Sequence, residues 1–339
     1  MLMEQNRKEW VDFGKGIAMF LVFIYHSESL YDKSPSLSYW FLFFRMPFFI
    51  FLSGYLFSSN WESFTVKRKF KQIFRGILWP YFLFTLAMCY PKAFMNGTTI
   101  EQGLVDIMLG WASWFVIALA VVQTLMTLIL SKIKQVNGFV VLLIIFAGIG
   151  WGNSLIFEDR LPFNLQNVGI VSFYFTLGLL YRKYELILKY FLTKKNLLAM
   201  FLLYLGMLMF DYNFIHTTGD ISANHYSNFW LYVFYTLFGI ITVLLFVNLH
   251  KCPRVFSFIG ANSLIFYFLN GGVLKIVSLM IHKLHIVLPV SIEIVLVAII
   301  ACLLVIPIVL IINKFFPLVL GKKEAFNKMM KILHLPATY

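Results

Sequence analysis

Among the ionisable side chains inside the first two apolar runs of this 339-residue chain, four are of types that suit chemistry. Asp12, Lys15 and His26 fall in the first run, with spacings that place them on one face of a helix, and Arg45 falls in the second. An ionisable group at membrane depth costs about 2.5–3.5 kcal/mol on insertion scales, so such groups are candidates for function. A neutral histidine can act as a general base, and a guanidinium can bind an oxyanion or a phosphate.

The residues of the first run also have structural interpretations, which the sequence leaves open. Asp12 and Lys15 have the i,i+3 spacing of an interfacial ion pair, with Lys15 extending toward the lipid headgroups. His26 is compatible with a buried histidine bonded to a neighbouring helix. Because a helix rises 1.5 Å per residue, about 16 Å separate Lys15 from His26. We therefore expect Lys15 near one membrane boundary and His26 deeper, toward the other.

Arg45 is expected at about the depth of His26. Two groups that can be cationic at one depth require an anion, a dipole or water between them. A structural pair with Glu28 or Glu293 and a role in substrate binding are equally compatible with the sequence.

A second polar face lies near the ninth apolar run. Ser263, Tyr267 and Asn270 have i, i+4, i+7 spacing and share one side of a helix. Hydrogen bonding between helices is the common role of such a face in membrane bundles.

The elements that position these residues follow from composition. Hydrophobic residues make up 60% of the chain and charged residues 13%, against about 25% charged in soluble domains. We expect an all-α, polytopic transmembrane bundle of about ten helices in one domain covering residues 1–339. The apolar runs predict spans near 10–30, 39–58, 73–92, 113–131, 138–157, 167–182, 196–212, 228–249, 259–281 and 290–313.

The basic residues predict an orientation with both termini cytoplasmic. Each expected inner segment carries at least two Lys or Arg, and each outer loop at most one, as the positive-inside rule requires. The inner segments hold Arg7 and Lys8, Lys67–Arg75, Lys132 and Lys134, Arg182–Lys195, Lys251 and Arg254, and Lys314–Lys331; the outer loops hold Lys33, Lys92, Arg160 and Lys283. This distribution in short clusters also excludes a nucleic-acid-binding role for the net charge of +13.

Metal sites and disulfides are not expected. The three cysteines are far apart along the chain. The outer loop from Asp211 to Asn228 contains Asp211, His216, Asp220 and His225 without a short ligand pair, which favours a solvated loop over a metal site.

Several segments together resemble the bacterial acyltransferase 3 family of multi-pass membrane enzymes, most closely its sugar O-acetylase branch. They are DFGKGIA at 12–18 followed by His26, FRMPFFIFLSGY at 44–55, KRKFK at 67–71, PY at 80–81, WF at 114–115, and IGANSL at 259–264 followed by Tyr267. The resemblance is close over the first 85 residues and thinner beyond them.

The resemblance implies transfer of an acyl group, usually acetyl from acetyl-CoA, to hydroxyls of surface polysaccharides or lipid-linked sugars. It implies that His26 is the catalytic base, or forms an acyl intermediate, and that Lys15 matches a basic residue that is often Arg. Asp12 and Lys15 would then be structural, or Lys15 would contact the donor. Arg45 would stabilise the oxyanion or bind the acceptor, and it stands where close relatives often have His.

The resemblance also implies binding residues. It implies coenzyme A binding by the basic loop, through Arg68, Lys69, Lys71 and Arg75, where the R-x-x-R pattern of the family ends in Lys71. Without the family match, ordinary positive-inside charge would explain this loop equally well. Trp114, Tyr267 and Asn270 are expected on the substrate side, and Asn270 replaces a histidine found in many members.

Acyl-CoA is thus expected as a co-substrate, with no permanent cofactor, and the bilayer and a carbohydrate acceptor as partners. We expect the protein in the bacterial plasma membrane, and the sequence does not give its oligomeric state. Two other classes remain open: a transporter or flippase for a lipid-linked sugar or small anion, and a membrane receptor or scaffold without catalysis.

Overall fold

The computed structural model describes residues 8–31, 36–57, 65–133, 136–284 and 288–332. Of the charges used above for orientation, Arg7, Lys33 and Lys134 lie outside these ranges, as does the predicted end of the second span at residue 58. The described chain is almost entirely helical, as the sequence predicts. The helices are α1 (Glu9–Glu28), α2 (Arg45–Phe57), α3 (Val66–Ile73), α4 (Trp79–Asn96), α5 (Ile100–Met108), α6 (Trp114–Lys132), α7 (Val136–Ile156), α8 (Val168–Leu188), α9 (Lys194–Phe210), α10 (Phe229–Leu249), α11 (Arg254–Ala261), α12 (Ser263–Lys283), α13 (Val290–Phe315) and α14 (Lys323–Ile332).

Shorter elements connect these helices. 3₁₀ turns cover Leu37–Phe41, Pro162–Asn167 and Lys189–Phe191, and π-helical segments cover Phe74–Leu78 and Asp211–Ile215. Two short strands, β1 (Gly219–Asp220) and β2 (His225–Tyr226), pair in a two-stranded sheet.

Nine helical stretches of the described residues are long and apolar enough to cross a membrane: Leu37–Phe57, Val66–Met95, Trp114–Lys132, Gly138–Ile156, Pro162–Phe191, Lys194–Ile215, Phe229–Leu249, Ser263–Lys283 and Val290–Phe315. They correspond to the second through tenth predicted spans. The first prediction corresponds to α1, which is 20 residues long but carries polar residues that lower its hydropathy. Large apolar side chains such as Phe94, Ile144 and Leu186 project outward, as a lipid environment allows.

Two of the predicted spans contain a break in the α-helix. The second span, predicted near 39–58, begins with a 3₁₀ turn, and α2 itself starts at Arg45. Pro47 lies in the first turn of α2, where the missing N–H costs no hydrogen bond. The ninth span divides at Asn262 into α11 and α12, which places Ser263 at the first residue of α12.

The described residues fall into two compact units that alternate along the chain. The first comprises Met1–Ser53, Lys183–Gly219 and Tyr226–Val309, and the second comprises Gly54–Arg182, Asp220–His225 and Leu310–Tyr339. In the first unit α1 packs against α10, α11 and α12. Phe13 contacts Phe246 and Phe256 at ring distances of 5.9 and 6.0 Å, and Phe23 contacts Phe266 at 6.1 Å.

In the second unit, the C-terminal helix α14 packs on the segment that joins α3 to α4. Phe326 is almost fully buried, and its ring contacts Trp79 at 5.4 Å and Phe74 at 6.5 Å. The indole N–H of Trp79 donates to the carbonyl of Leu318 at 2.9 Å. Gly321 has a φ of +61° and packs so closely on the Arg75 carbonyl that a methyl group there would overlap it. The sequence patterns did not predict α5, α14 or the short sheet.

Candidate active site

The N-terminal half of α1 lies directly against α11. A methyl group added at Gly16 would overlap the carbonyl of Phe256, and one added at Gly260 would overlap the carbonyl of Asp12. These two glycines therefore allow the two helix backbones to touch. Asp12 is buried at this crossing, with 7% of its surface exposed. The crossing explains why DFGKGIA and IGANSL each contain a glycine at this position.

Lys15 lies on the side of α1 that faces α2. Its ammonium is 5.8 Å from the centre of the Phe49 ring, and the side chain is half-buried. Gly14 packs against the Phe48 ring one residue earlier. The region around Asp12 and Lys15 thus lies where α1 packs between α2 and α11.

The C-terminal end of α1 brings His26 and Arg45 to one aromatic ring. The guanidinium carbon of Arg45 is 3.6 Å from the centre of the Tyr25 ring, and the His26 ring meets the same ring edge-on at 5.2 Å between centres. Arg45 is 8% exposed, and His26 is half-buried. The two groups that the sequence predicts at one depth thus share a neighbour.

The two segments that carry His26 and Arg45 are joined by Glu28. Its carboxylate accepts hydrogen bonds from the backbone N–H groups of Leu37 and Ser38, each at 2.8 Å. These are donors at the start of the 3₁₀ turn that leads into α2, so a buried carboxylate caps that turn. The hydroxyl of Ser27 donates to the carbonyl of Ile294 at 2.8 Å, which fixes the end of α1 against α13.

A polar cluster that the sequence did not predict lies just beyond the C-terminal end of α1. The Tyr31 hydroxyl donates to Glu293 at 2.9 Å, and His282 Nδ1 lies 3.8 Å from the same carboxylate. Burial, together with the hydrogen bond to Glu293, raises the pKa of Tyr31 to about 12. No sequence spacing indicates this cluster, because its members come from the turn after α1, from α12 and from α13.

The α12 residues lie alongside α1. Phe23 of α1 contacts Phe266 of α12, and Tyr31 contacts His282 further along both segments, so the two helices run in the same direction. Asn270 is one helical turn beyond Phe266, as His26 is one turn beyond Phe23. Asn270 and Ser263 are buried, and Tyr267 is half-buried.

The basic segment expected to bind the donor belongs to the second unit. The ammonium of Lys69 donates to the carbonyl of Phe57 and lies 3.9 Å from the centre of the Phe57 ring, at the C-terminal end of α2. Arg68 is exposed, and Lys71 and Arg75 are half-buried. The buried Nε of Arg75 has no hydrogen-bond partner. Trp114, also in the second unit, is half-buried at the first residue of α6.

The loop after α9 differs in part from the solvated loop that was predicted. Asp211 is fully buried and accepts hydrogen bonds from the Tyr39 hydroxyl and from the Thr217 N–H and hydroxyl, the last two at 2.9 and 2.6 Å. His216, Asp220 and His225 are exposed. Among the described residues, no group of three His, Cys, Asp or Glu side chains has the arrangement of a metal site.

Long apolar helices that enclose a histidine and an arginine define this chain as a polytopic helical membrane protein with a polar site in its first unit. The chain belongs to the acyltransferase 3 family, whose model, described as an acyltransferase domain, matches residues 8–314. Searches of curated proteins and of solved structures gave no match. The family makes the protein a membrane acyltransferase, and α14 lies beyond the matched residues.

Proposed function

We propose that this protein transfers an acyl group, such as acetyl, from cytoplasmic acyl-CoA to a hydroxyl of a cell-surface polysaccharide or a lipid-linked sugar. His26 is the general base. The observation that carries the proposal is the contact of His26 and Arg45 with the same Tyr25 ring, in a chain of the acyltransferase 3 family.

His26 is suited to hold a proton during transfer. A ring nitrogen of the neutral imidazole takes the proton of the sugar hydroxyl as that oxygen attacks the thioester carbonyl. When the tetrahedral intermediate collapses, the carbon–sulfur bond breaks and the coenzyme A thiolate takes the proton from the imidazolium. His26 lies in the last turn of α1, where the negative end of the helix dipole stabilises the transient charge. A covalent acyl-His26 intermediate is the variant of this mechanism.

Arg45 supplies positive charge for the developing oxyanion or for a phosphate of the acceptor. It is the first residue of α2, so its guanidinium adds to the positive end of that helix dipole. Stacking on Tyr25 holds the plane of the guanidinium, and a guanidinium in a fixed plane suits planar, bidentate binding of an anion.

Donor binding is assigned to the cytoplasmic cations. Arg68, Lys71 and Arg75 bind the phosphates of coenzyme A, and Lys15 contacts the donor arm along α1. Lys69 has a hydrogen bond to the Phe57 carbonyl, which supports a mainly structural role at the end of α2. Burial of Asp12 at the helix crossing supports a structural role for its carboxylate.

Tyr267, Asn270 and Trp114 are assigned to the acceptor. The buried amide of Asn270 can donate to and accept from sugar hydroxyls, and Tyr267 and Trp114 offer aromatic faces. The proposed location is the bacterial plasma membrane.

Acylation of the surface glycan by cells that carry His26→Gln at wild-type protein levels tests the proposal. We expect the acyl group to disappear from the glycan, because proton transfer contributes about 10²–10⁴-fold to such reactions. The matched control is His225→Ala, which alters an exposed histidine of β2. Consumption of acetyl-CoA by the purified protein gives the second readout. Undiminished acylation in the His26 variant would remove this residue from the mechanism.

A further inference from the structure

The second unit contains a cavity of about 480 Å³ between α4 and α5 that the site around His26 does not use. Its volume is within the usual range for small-molecule sites, about 300–1,000 Å³. Polar groups from both helices line it: Thr85, Lys92, Thr98, Gln102 and Asp106. Trp111 closes one side.

On both helices the large apolar side chains face outward and polar side chains line the cavity, which is the reverse of the arrangement in a soluble protein. On α4, Leu86, Tyr90 and Phe94 are 49, 67 and 80% exposed, and the cavity residues lie on the other side. On α5, Ile100, Leu104, Val105 and Met108 are exposed, and Gln102 and Asp106, which line the cavity, are exposed as well because the cavity is open. A helix with exposed apolar side chains and a polar face along an open cavity suits a lipid environment around a wet cavity.

The cavity is lined by one basic and one acidic side chain, Lys92 and Asp106. These opposite charges disfavour a ligand of high net charge, because either sign would meet a like charge in the cavity. The remaining groups both donate and accept hydrogen bonds. Gln102 uses its side-chain oxygen to accept from the Thr99 N–H at 3.2 Å, which leaves its NH₂ for a ligand.

The aromatic wall is held firmly. The Trp111 indole donates to the Leu161 carbonyl at 3.1 Å, and the Leu161 N–H donates to the Gln166 side chain at 3.0 Å. Asn164 donates to the Gly110 carbonyl at 2.8 Å. These bonds connect the Trp111 loop to the turn Pro162–Asn167, in which Asn164, Gln166 and Asn167 are buried. A ring fixed in this way is a platform for a flat, apolar ligand face.

We propose that this cavity binds a neutral, polyhydroxylated ligand, namely one sugar unit of the acceptor glycan. Sugar hydroxyls match the mixed donors and acceptors, the apolar face of the ring packs on Trp111, and the opposite charges bind adjacent hydroxyls. The identification of this sugar as part of the acceptor rests on the proposed function. The orientation predicted from the basic residues puts Lys92 on the outer side of the membrane, where such a glycan is found.

Binding of N-acetylglucosamine, methyl β-galactoside and methyl α-glucoside to the purified full chain in lipid nanodiscs tests the proposal by saturation-transfer NMR. We expect saturable binding of at least one of these sugars. Its Kd should rise about tenfold or more in Trp111→Ala, since stacking and burial are lost, and also in Asp106→Asn. Met108→Ala changes the opposite face of α5 and should leave the Kd unchanged.

Two outcomes overturn the proposal: saturable binding of none of the three sugars, or binding that is equal in wild type, Trp111→Ala and Asp106→Asn. Preferential binding of phosphocholine, a charged headgroup, would also contradict it. In a transfer assay, Asp106→Asn should raise the KM for the acceptor with little change in kcat. The failure of transfer in wild type with sugar binding intact would refute the proposed function alone, while normal transfer with an unchanged acceptor KM would refute this site alone.

Discussion

The guanidinium carbon of Arg45 lies 3.6 Å from the centre of the Tyr25 ring, and His26 follows Tyr25 in the chain. An arginine at the first residue of a helix meets the positive end of the helix dipole, which is unfavourable for a cation. The electron-rich face of Tyr25 offsets part of this cost. Tyr25 thereby couples the position of the buried cation to that of the histidine.

Substitutions at Tyr25 should separate ring stacking from the rest of the side chain. Tyr25→Leu is expected to lower kcat/KM for acyl transfer about 2–30-fold, the equivalent of the 0.5–2 kcal/mol usual for such a contact. Tyr25→Phe retains the ring and should stay close to wild type. Arg45→Lys keeps the charge but loses the planar fork, and we expect a loss of roughly 10²-fold if it contacts the oxyanion. Equal rates for the Leu and Phe variants would exclude a positioning role for the ring.

The contact between α1 and α11 predicts different effects of alanine at different glycines. Gly16→Ala or Gly260→Ala would push a methyl group into a backbone carbonyl of the facing helix, and neither backbone can move away cheaply. We expect a loss of about 1–3 kcal/mol or more in stability, which is typical of overpacking. Thermal unfolding in detergent measures it.

The matched control for these variants is Gly271→Ala in α12, where an added methyl group meets nothing within 4 Å. Alanine favours a helix over glycine by about 1 kcal/mol, so this variant should be neutral or more stable. If Gly16→Ala unfolded at the same temperature as Gly271→Ala, the close contact of α1 and α11 would be refuted.

Local sequence patterns predicted the spans well because a membrane helix requires a continuous apolar run. The expectation that His26 and Arg45 share a depth follows from helix rise, and the structure shows both side chains in contact with Tyr25. The break at Asn262 and the burial of Asp211 were missed, because both depend on partners distant in the chain. The polar cavity was missed for the same reason: α5 is too short to read as a span, and its polar face is matched only by residues of α4.

The basic segment predicts a division of roles between neighbouring cations. Arg68→Ala combined with Lys71→Ala should raise the KM for acetyl-CoA about tenfold or more, because each charge-assisted hydrogen bond is worth about 1.5–3 kcal/mol. Lys69→Ala should instead lower the melting temperature, since Lys69 bonds to the end of α2.

Lys194→Ala with Lys195→Ala is the control for the donor prediction, because it removes two exposed cations from another inner segment. If these cations only supplied positive-inside charge, both double variants would change the KM for acetyl-CoA by the same small amount. Initial rates at varied acetyl-CoA and salt concentrations distinguish the two explanations, since only direct phosphate contacts make the KM steeply salt-dependent.

Alkaline pH should destabilise the contact of the α1 C-terminal end with α12 and α13 through Tyr31. Its pKa is raised from 10.0 to about 12 by burial and by the hydrogen bond to Glu293, so the folded state holds the proton more tightly than the unfolded chain. The stabilisation is therefore complete below about pH 10 and is lost as the pH rises toward 12.

In Tyr31→Phe this part of the pH dependence should vanish, and stability at pH 7 should fall by about 1–3 kcal/mol, the usual value of a hydrogen bond to a carboxylate. Melting curves from pH 7 to 11 in detergent measure both effects, with Tyr190→Phe, a highly exposed tyrosine, as the control. Parallel pH profiles for wild type and Tyr31→Phe would mean that Tyr31 does not couple α1 to Glu293.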